Sequence, residues 1–142
     1  MTDGLTIAEA SERLGMTSHT LRYYERAGLL LPIQRTEGGL RRYQENDVDF
    51  LRFLACLRAT GMPIRKIRQY AECVRDGAHT MAERRGLLEE HRIEVKQQIE
   101  LLQRNLEALN LKIGLYDEGW LHGESPATVT SEKLRCLLEE KI

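Results

Sequence analysis

Between Val95 and Tyr116 apolar residues recur at alternating intervals of four and three: Val95, Ile99, Leu102, Leu106, Leu109, Ile113 and Tyr116. That spacing is a heptad seam, which only a helix can present as one edge. Upstream, Thr80-x-x-Glu83 matches a capping box, so the helix is expected to open there. Counting back along the seam, Leu88 and Met81 fit, while Arg85 and Arg92 fall on seam positions and should splay to the surface. From Met81 to Tyr116 such a helix would be roughly 54 Å long. A lone helix of this kind is marginal in water and leaves a sticky edge. Burying each seam Leu or Ile against a partner is worth roughly 1.5–3 kcal/mol, so the seam is expected to be the interface of a homodimer. An antiparallel pairing would set the two N-terminal parts apart; the heptads alone leave orientation open.

The N-terminal part reads as something for that rod to carry. Thr6-Ile7-Ala8-Glu9 is a capping box, and Ile7, Ala10 and Leu14 form the apolar stripe of a short helix ended by Gly15. After the tight Gly15-Met16-Thr17 link, Thr17 or Ser18 caps a second helix that runs to about Ala27, with Gly28 as its stop. Arg22 and Arg26 share a face of it, beside the rings of Tyr23 and Tyr24. A globular core has little use for such a face, whereas a phosphate backbone does. Helix, glycine turn, second helix with donors near its start is the helix-turn-helix pattern, which lays its second helix in the DNA major groove.

Pro32 disfavours a helix over Leu29–Pro32, which should be extended. Gln34–Tyr43 then sets Gly38-Gly39 between Arg35 and Arg41-Arg42-Tyr43, a pattern that suits a β-hairpin wing. Two more helices are expected, Asn46–Thr60 and Pro63–Asp76, with Pro63 in the first turn of its helix. Arg65, Lys66 and Arg68 at the start of the latter are candidates for further phosphate contacts. The formal net charge of −1 argues against nucleic acid until the charge is located. Residues 13–42 carry six basic side chains against two acidic, and residues 77–142 nine against twelve. That asymmetry fits a small basic reading head on a neutral-to-acidic body.

The expected organisation is a mainly α chain with a winged helix-turn-helix DNA-binding head at 1–77, a coiled-coil dimerisation helix at 80–116, and a loop and tail at 117–142. Within the tail, 117–123 is turn-rich, 125–128 reads as loop, and Ser131–Glu140 can form a short helix with Leu134, Leu137 and Leu138 on one side. No apolar run approaches the eighteen or so residues that span a membrane. The N-terminus carries no secretion signal, so a cytoplasmic protein is expected. No acid–base pair, nucleophile triad or phosphate loop argues for an enzyme, and no cofactor or metal site is expected. From another class, a coiled-coil adaptor with a protein-binding head is an alternative.

Thr20-Leu21-Arg22-Tyr23-Tyr24-Glu25-Arg26-Ala27-Gly28-Leu29, then Gly39-Leu40-Arg41-Arg42-Tyr43, then Val48-x-x-Leu51 resemble the MerR family of bacterial transcription regulators. The resemblance covers about residues 5–116. It implies a winged helix-turn-helix head, a helix pair as second wing, and a long helix forming an antiparallel homodimer. It also implies a mechanism, in which the dimer sits on an over-long promoter spacer and its effector-bound form kinks and untwists the DNA so that RNA polymerase can engage both elements. Carried residue by residue, the resemblance gives Thr17, His19, Thr20, Arg22 and Tyr23 contacts to base edges and phosphates. Tyr24 and Arg26 would help position the helix, Arg41, Arg42 and Tyr43 would grip the backbone from the wing, and Arg65 would add a contact.

The cysteine placements of the family's metal sensors and a four-cysteine cluster are missing from these residues, and a large C-terminal drug-binding domain is not expected. Cys56, Cys73 and Cys136 remain. Cys56, in Leu54-Ala55-Cys56-Leu57-Arg58-Ala59-Thr60-Gly61-Met62, is similar to the thiol-dependent branch that answers aldehydes and nitrosative stress, and Tyr70-Ala71-Glu72-Cys73 also resembles that branch. By helical spacing Cys56 falls between Asp49 and Arg52 on the polar side of its helix; Arg52, one turn earlier, would favour a thiolate by its charge, and Asp49 opposes it. The plainer reading makes both Cys56 and Cys73 small buried hydrophobes. A metal-responsive regulator using Cys73, His79 and His122 is the alternative inside the family.

Overall fold

The computed structural model describes residues 4–30, 33–121 and 132–139. Its elements follow in the order α1 (Ile7–Leu14), α2 (Ser18–Arg26), β1 (Gln34–Arg35), β2 (Arg41–Arg42), α3 (Glu45–Ala59), α4 (Ile64–Asp76), a 3-10 turn (Ala78–Thr80), α5 (Met81–Leu121) and α6 (Glu132–Glu139). The chain divides into two compact units, 1–91 and 92–142.

In the first unit the expected local signals close as drawn. The Thr6 hydroxyl accepts from the Glu9 N–H at 3.1 Å while Glu9 accepts from the Thr6 N–H at 3.2 Å, which starts α1. Gly15 ends it at φ 66°, a left-handed turn that a side chain would strain. Thr17 caps α2 through the Thr20 N–H at 3.1 Å. Strands β1 and β2 pair antiparallel, Gln34 with Arg42 and Arg35 with Arg41, and Leu5 bridges to Tyr43 beside them. α1 packs on α2 and α3, and α3 packs on α4. Ala10, Leu21, Leu29, Tyr43, Leu51, Leu54, Met62 and Ile67 are buried between them. Each such Leu or Ile contributes about 1.5–3 kcal/mol of apolar burial.

Three expectations change here. Pro63 lies just outside α4, extended at ψ 147°, and caps the helix from without. Thr80 makes no capping box; its hydroxyl turns back to the Cys73 and Gly77 carbonyls and accepts from Arg84 Nε, so α5 opens from the 3-10 turn. Leu88 packs against the head core, and His91 is buried with Nε2 2.7 Å from the Thr60 hydroxyl. The inner end of α5 therefore belongs to the first unit, where Leu88 is a core residue. Arg85 is exposed and pairs with Glu89 at 2.9 Å. Of the Leu29–Pro32 stretch, Leu31 and Pro32 lie outside the described residues.

In the second unit α5 continues to Leu121, through the turn-rich 117–121. A glycine inside a helix costs only about 1 kcal/mol, too little for Gly119 to stop a helix already propagating. Residues 122–131, including the expected 125–128 loop, lie outside the described residues. α6 buries Leu134, as α5 does Ala108, and with Asn105, Leu109, Lys112 and Leu138 these line a cleft of about 370 Å³. Lys112 Nζ sits 5.1 Å from the Tyr116 ring centre.

Candidate nucleic-acid interface

α2 divides its residues between core and surface. Leu21 is fully buried and Tyr24 packs on the core, which fixes the helix, while His19, Arg22, Tyr23 and Arg26 remain exposed. The Tyr23 ring leans on Tyr24 at 6.0 Å between centroids. Thr17 is exposed and Thr20 half-buried, with their hydroxyls 2.9 Å apart.

The wing is fastened to α2 by a residue the sequence reading passed over. Glu25 accepts from Arg35 Nη2 at 3.1 Å and from Arg41 Nε through its other oxygen, and Arg35 Nη1 also donates to the Gly39 carbonyl at 2.9 Å. One carboxylate thus joins both strands of the hairpin to the second helix. The available signal was an acid standing alone among the basic residues of α2. Arg41 Nε is committed to Glu25. Arg42 and Arg41 then meet Arg22 around a cleft of about 180 Å³ that also takes in Thr6, Ile7, Gly39 and Leu40. Three guanidiniums about one cleft suit a phosphate, which forms short charge-assisted hydrogen bonds with such donors.

Tyr43 is a correction. It was expected to grip a DNA backbone from the wing, yet its side chain is fully buried and its hydroxyl has no hydrogen-bond partner among the described residues. Burial raises its phenol pKa, and the nearby Glu25 charge adds to that. The cause is the bridge to Leu5, which turns the ring into the core. Arg65 is exposed at the first turn of α4, but its neighbours are engaged. Lys66 pairs with Glu90 at 3.6 Å, and Arg68 Nε donates to the Ala27 carbonyl at 2.9 Å.

The cysteines separate cleanly. Cys56 is exposed on α3, and its carbonyl accepts from the Thr60 hydroxyl at 2.9 Å. Arg52, expected to favour a Cys56 thiolate, instead reaches the Arg13 carbonyl at 3.5 Å and Asp49 at 3.9 Å. Cys73 is buried, and burial pushes its thiol up, reinforced by a hydrogen bond and charge from Glu83. Cys136 is exposed on α6. Of the alternative metal set, His79 is exposed and His122 lies outside the described residues. Among the described residues no three His, Cys, Asp or Glu side chains converge. No described helix is long and apolar enough to cross a membrane.

The seam residues stand on the surface of the single chain. Ile99 is 48% exposed, Leu102 67%, Leu106 57%, Leu109 60%, Ile113 58% and Tyr116 36%, with Val95 half-buried.

Known proteins resemble this arrangement throughout. Residues 5–72 match the family described as MerR HTH family regulatory protein, and residues 48–111 match the one described as MerR, DNA binding. An uncharacterized HTH-type transcriptional regulator of Haemophilus influenzae is 40% identical over 80% of this chain and 84% of its own length. The HTH-type transcriptional regulator ZntR of Escherichia coli is 34% identical over 73% of this chain and 77% of its own length. In structure, the chain is similar to HiNmlR, a MerR family regulator lacking the sensor domain, bound to promoter DNA. The TM-score is 0.79 at 37% identity, over 89% of this chain and all of that one. A putative MerR family regulator from Listeria monocytogenes gives the same TM-score and identity over 98% of this chain and all of its own. These relatives are transcription regulators, not enzymes. The chain belongs to the MerR family of DNA-binding transcription regulators.

Proposed function

We propose that this MerR-type regulator acts as a homodimer that seats two basic heads on promoter DNA and distorts the spacer between promoter elements when an effector reaches it. The observation that carries the reading is the apolar seam left exposed on α5, on the same chain as a basic winged head. In this reading residues 1–77, with the start of α5 as far as His91, form the head, the rest of the 80–116 helix pairs antiparallel through Val95, Ile99, Leu102, Leu106, Leu109, Ile113 and Tyr116, and 117–142 follow as a tail. His19, Arg22, Tyr23 and Arg26 face the groove, with Thr17 and Thr20 at the helix start. Arg41 and Arg42 with Arg22 take a phosphate, and Arg65 a further one, while Tyr24 holds the helix against the core. RNA polymerase is the second partner, and the cytoplasm, where promoters are found, is the place of work.

The effector we infer is an electrophile sensed at Cys56, the exposed thiol of the head. The buried Cys73, with its raised thiol, is the poorer nucleophile at neutral pH. Two measurements test the whole. Sedimentation at micromolar concentration should give a dimer, and promoter transcription in vitro should respond to an aldehyde or nitrosothiol in wild type but not in Cys56→Ser. An unchanged response in that variant removes Cys56 from the mechanism. A metal-responsive reading is favoured by the 34% identity to a heavy metal-dependent transcription regulator of Rhizobium meliloti over 70% of this chain. Zinc or copper altering operator affinity would support it.

A further inference from the structure

Helix α4 is fastened on two sides. Toward α2, Arg68 Nε donates to the Ala27 carbonyl at 2.9 Å, and Arg75 Nη2 donates to the Gly28 carbonyl at 2.6 Å and the Leu30 carbonyl at 3.1 Å. A helix leaves its last carbonyls unpaired, and its dipole favours cations there. Toward α5, the Thr80 hydroxyl turns to the Cys73 and Gly77 carbonyls, and Arg84 holds Thr80 Oγ1 and the Gly77 carbonyl, each at 3.1 Å. α4 therefore links the end of the recognition helix to the first turns of the long helix, all within the first compact unit. Leu29 and Leu30 are already buried, so the core anchors that segment without the two arginines. Their guanidiniums add direction to it: two exposed residues spend donors on backbone 41 to 47 residues earlier.

We propose that Arg68 and Arg75 are positioning residues that fix the recognition helix relative to α4 and the start of α5, and so set the half-site spacing that the regulator accepts. This rests on the dimer reading, because only a two-headed protein senses spacing. Joining two fitted contacts raises affinity by about 100-fold or more, and the gain disappears when geometry forbids both. A bracket that holds each head at one angle makes that loss steep.

The test uses full-length protein and duplexes selected by the wild type from a random-sequence library. The selected duplex is compared with versions whose half-sites are moved by one or two base pairs, and with a single half-site. Wild type should lose at least about tenfold in affinity on a two-base-pair change. The Arg68→Ala, Arg75→Ala pair should bind all spacings within about threefold of one another, with half-site affinity and melting temperature retained. The pair Arg68→Lys, Arg75→Lys, which keeps a cation and donors at these carbonyls, should restore most of the discrimination. Should the alanine pair unfold, Arg75→Gln carries the same comparison. Spacing selectivity equal to wild type in the variant, or a matching loss of half-site affinity, overturns the proposal. Wild-type protein that is monomeric or blind to spacing overturns the dimer reading and this proposal with it, and is recognised because no substitution is involved.

Discussion

Replacing Leu106 by Ala tests the seam at its middle. Leu106 is 57% exposed in the single chain, so a little over half of its surface is left for a partner to cover. Full burial of a leucine is worth about 1.5–3 kcal/mol, which leaves about 0.9–1.7 kcal/mol per copy at this site. A two-fold interface counts the residue twice, so the dimer should lose about 1.7–3.4 kcal/mol. At 1.4 kcal/mol per decade, the dissociation constant rises about 15- to 300-fold. Alanine is the best helix former, so α5 itself should persist, which far-ultraviolet circular dichroism can check. Sedimentation equilibrium from nanomolar to micromolar concentration reads the constant. The control is Ile93→Ala: Ile93 is 59% exposed, and at about 100° per residue it lies on the side of α5 away from the seam. If both variants weaken the dimer alike, or if Leu106→Ala leaves it unmoved, the assignment of the interface is wrong.

Three further outcomes are expected. Tyr43→Phe removes a buried hydroxyl that has no partner among the described residues, so stability should rise by about 1 kcal/mol or more in denaturant unfolding, with DNA affinity unchanged; a loss of affinity would restore the wing contact first read from the sequence. Glu25→Gln should loosen both hairpin strands and weaken operator binding by roughly 10- to 140-fold, the scale of about 1.5–3 kcal/mol for a hydrogen bond to a charged group. Wild-type affinity should fall with salt by about 0.9 log units per log unit for each phosphate neutralised, and Arg22→Ala or Arg42→Ala should each lower that slope by about one. A slope near zero contradicts the phosphate contacts.

What the sequence made legible was whatever local chemistry decides. The Thr6–Glu9 box, the Gly15 turn, the Thr17 cap and the Gly38-Gly39 hairpin each need only neighbours within a few residues, and each forms where its residues stand. What escaped depends on partners far along the chain. Tyr43 turns inward because Leu5 pairs with it, and Thr80 abandons its box because Cys73 and Gly77 offer carbonyls across the turn. Arg68 resembled a phosphate contact until the end of α2 came within reach, and Leu88 kept the heptad rhythm while facing the core of the head. Gly119 and its neighbours looked like a terminus because glycine marks turns, but nothing there outweighs the gain from extending a long helix.

Leu88 and His91 carry a practical lesson about where the reader stops and the shaft begins. A fragment cut at Gly77 would strip a leucine from the head's packing and leave the Thr60 hydroxyl without its imidazole. The smallest piece worth isolating ends beyond His91, and it takes with it nearly three turns of what first looks like shaft. Those turns touch the interior of the DNA-reading module directly, through one apolar side chain and one imidazole.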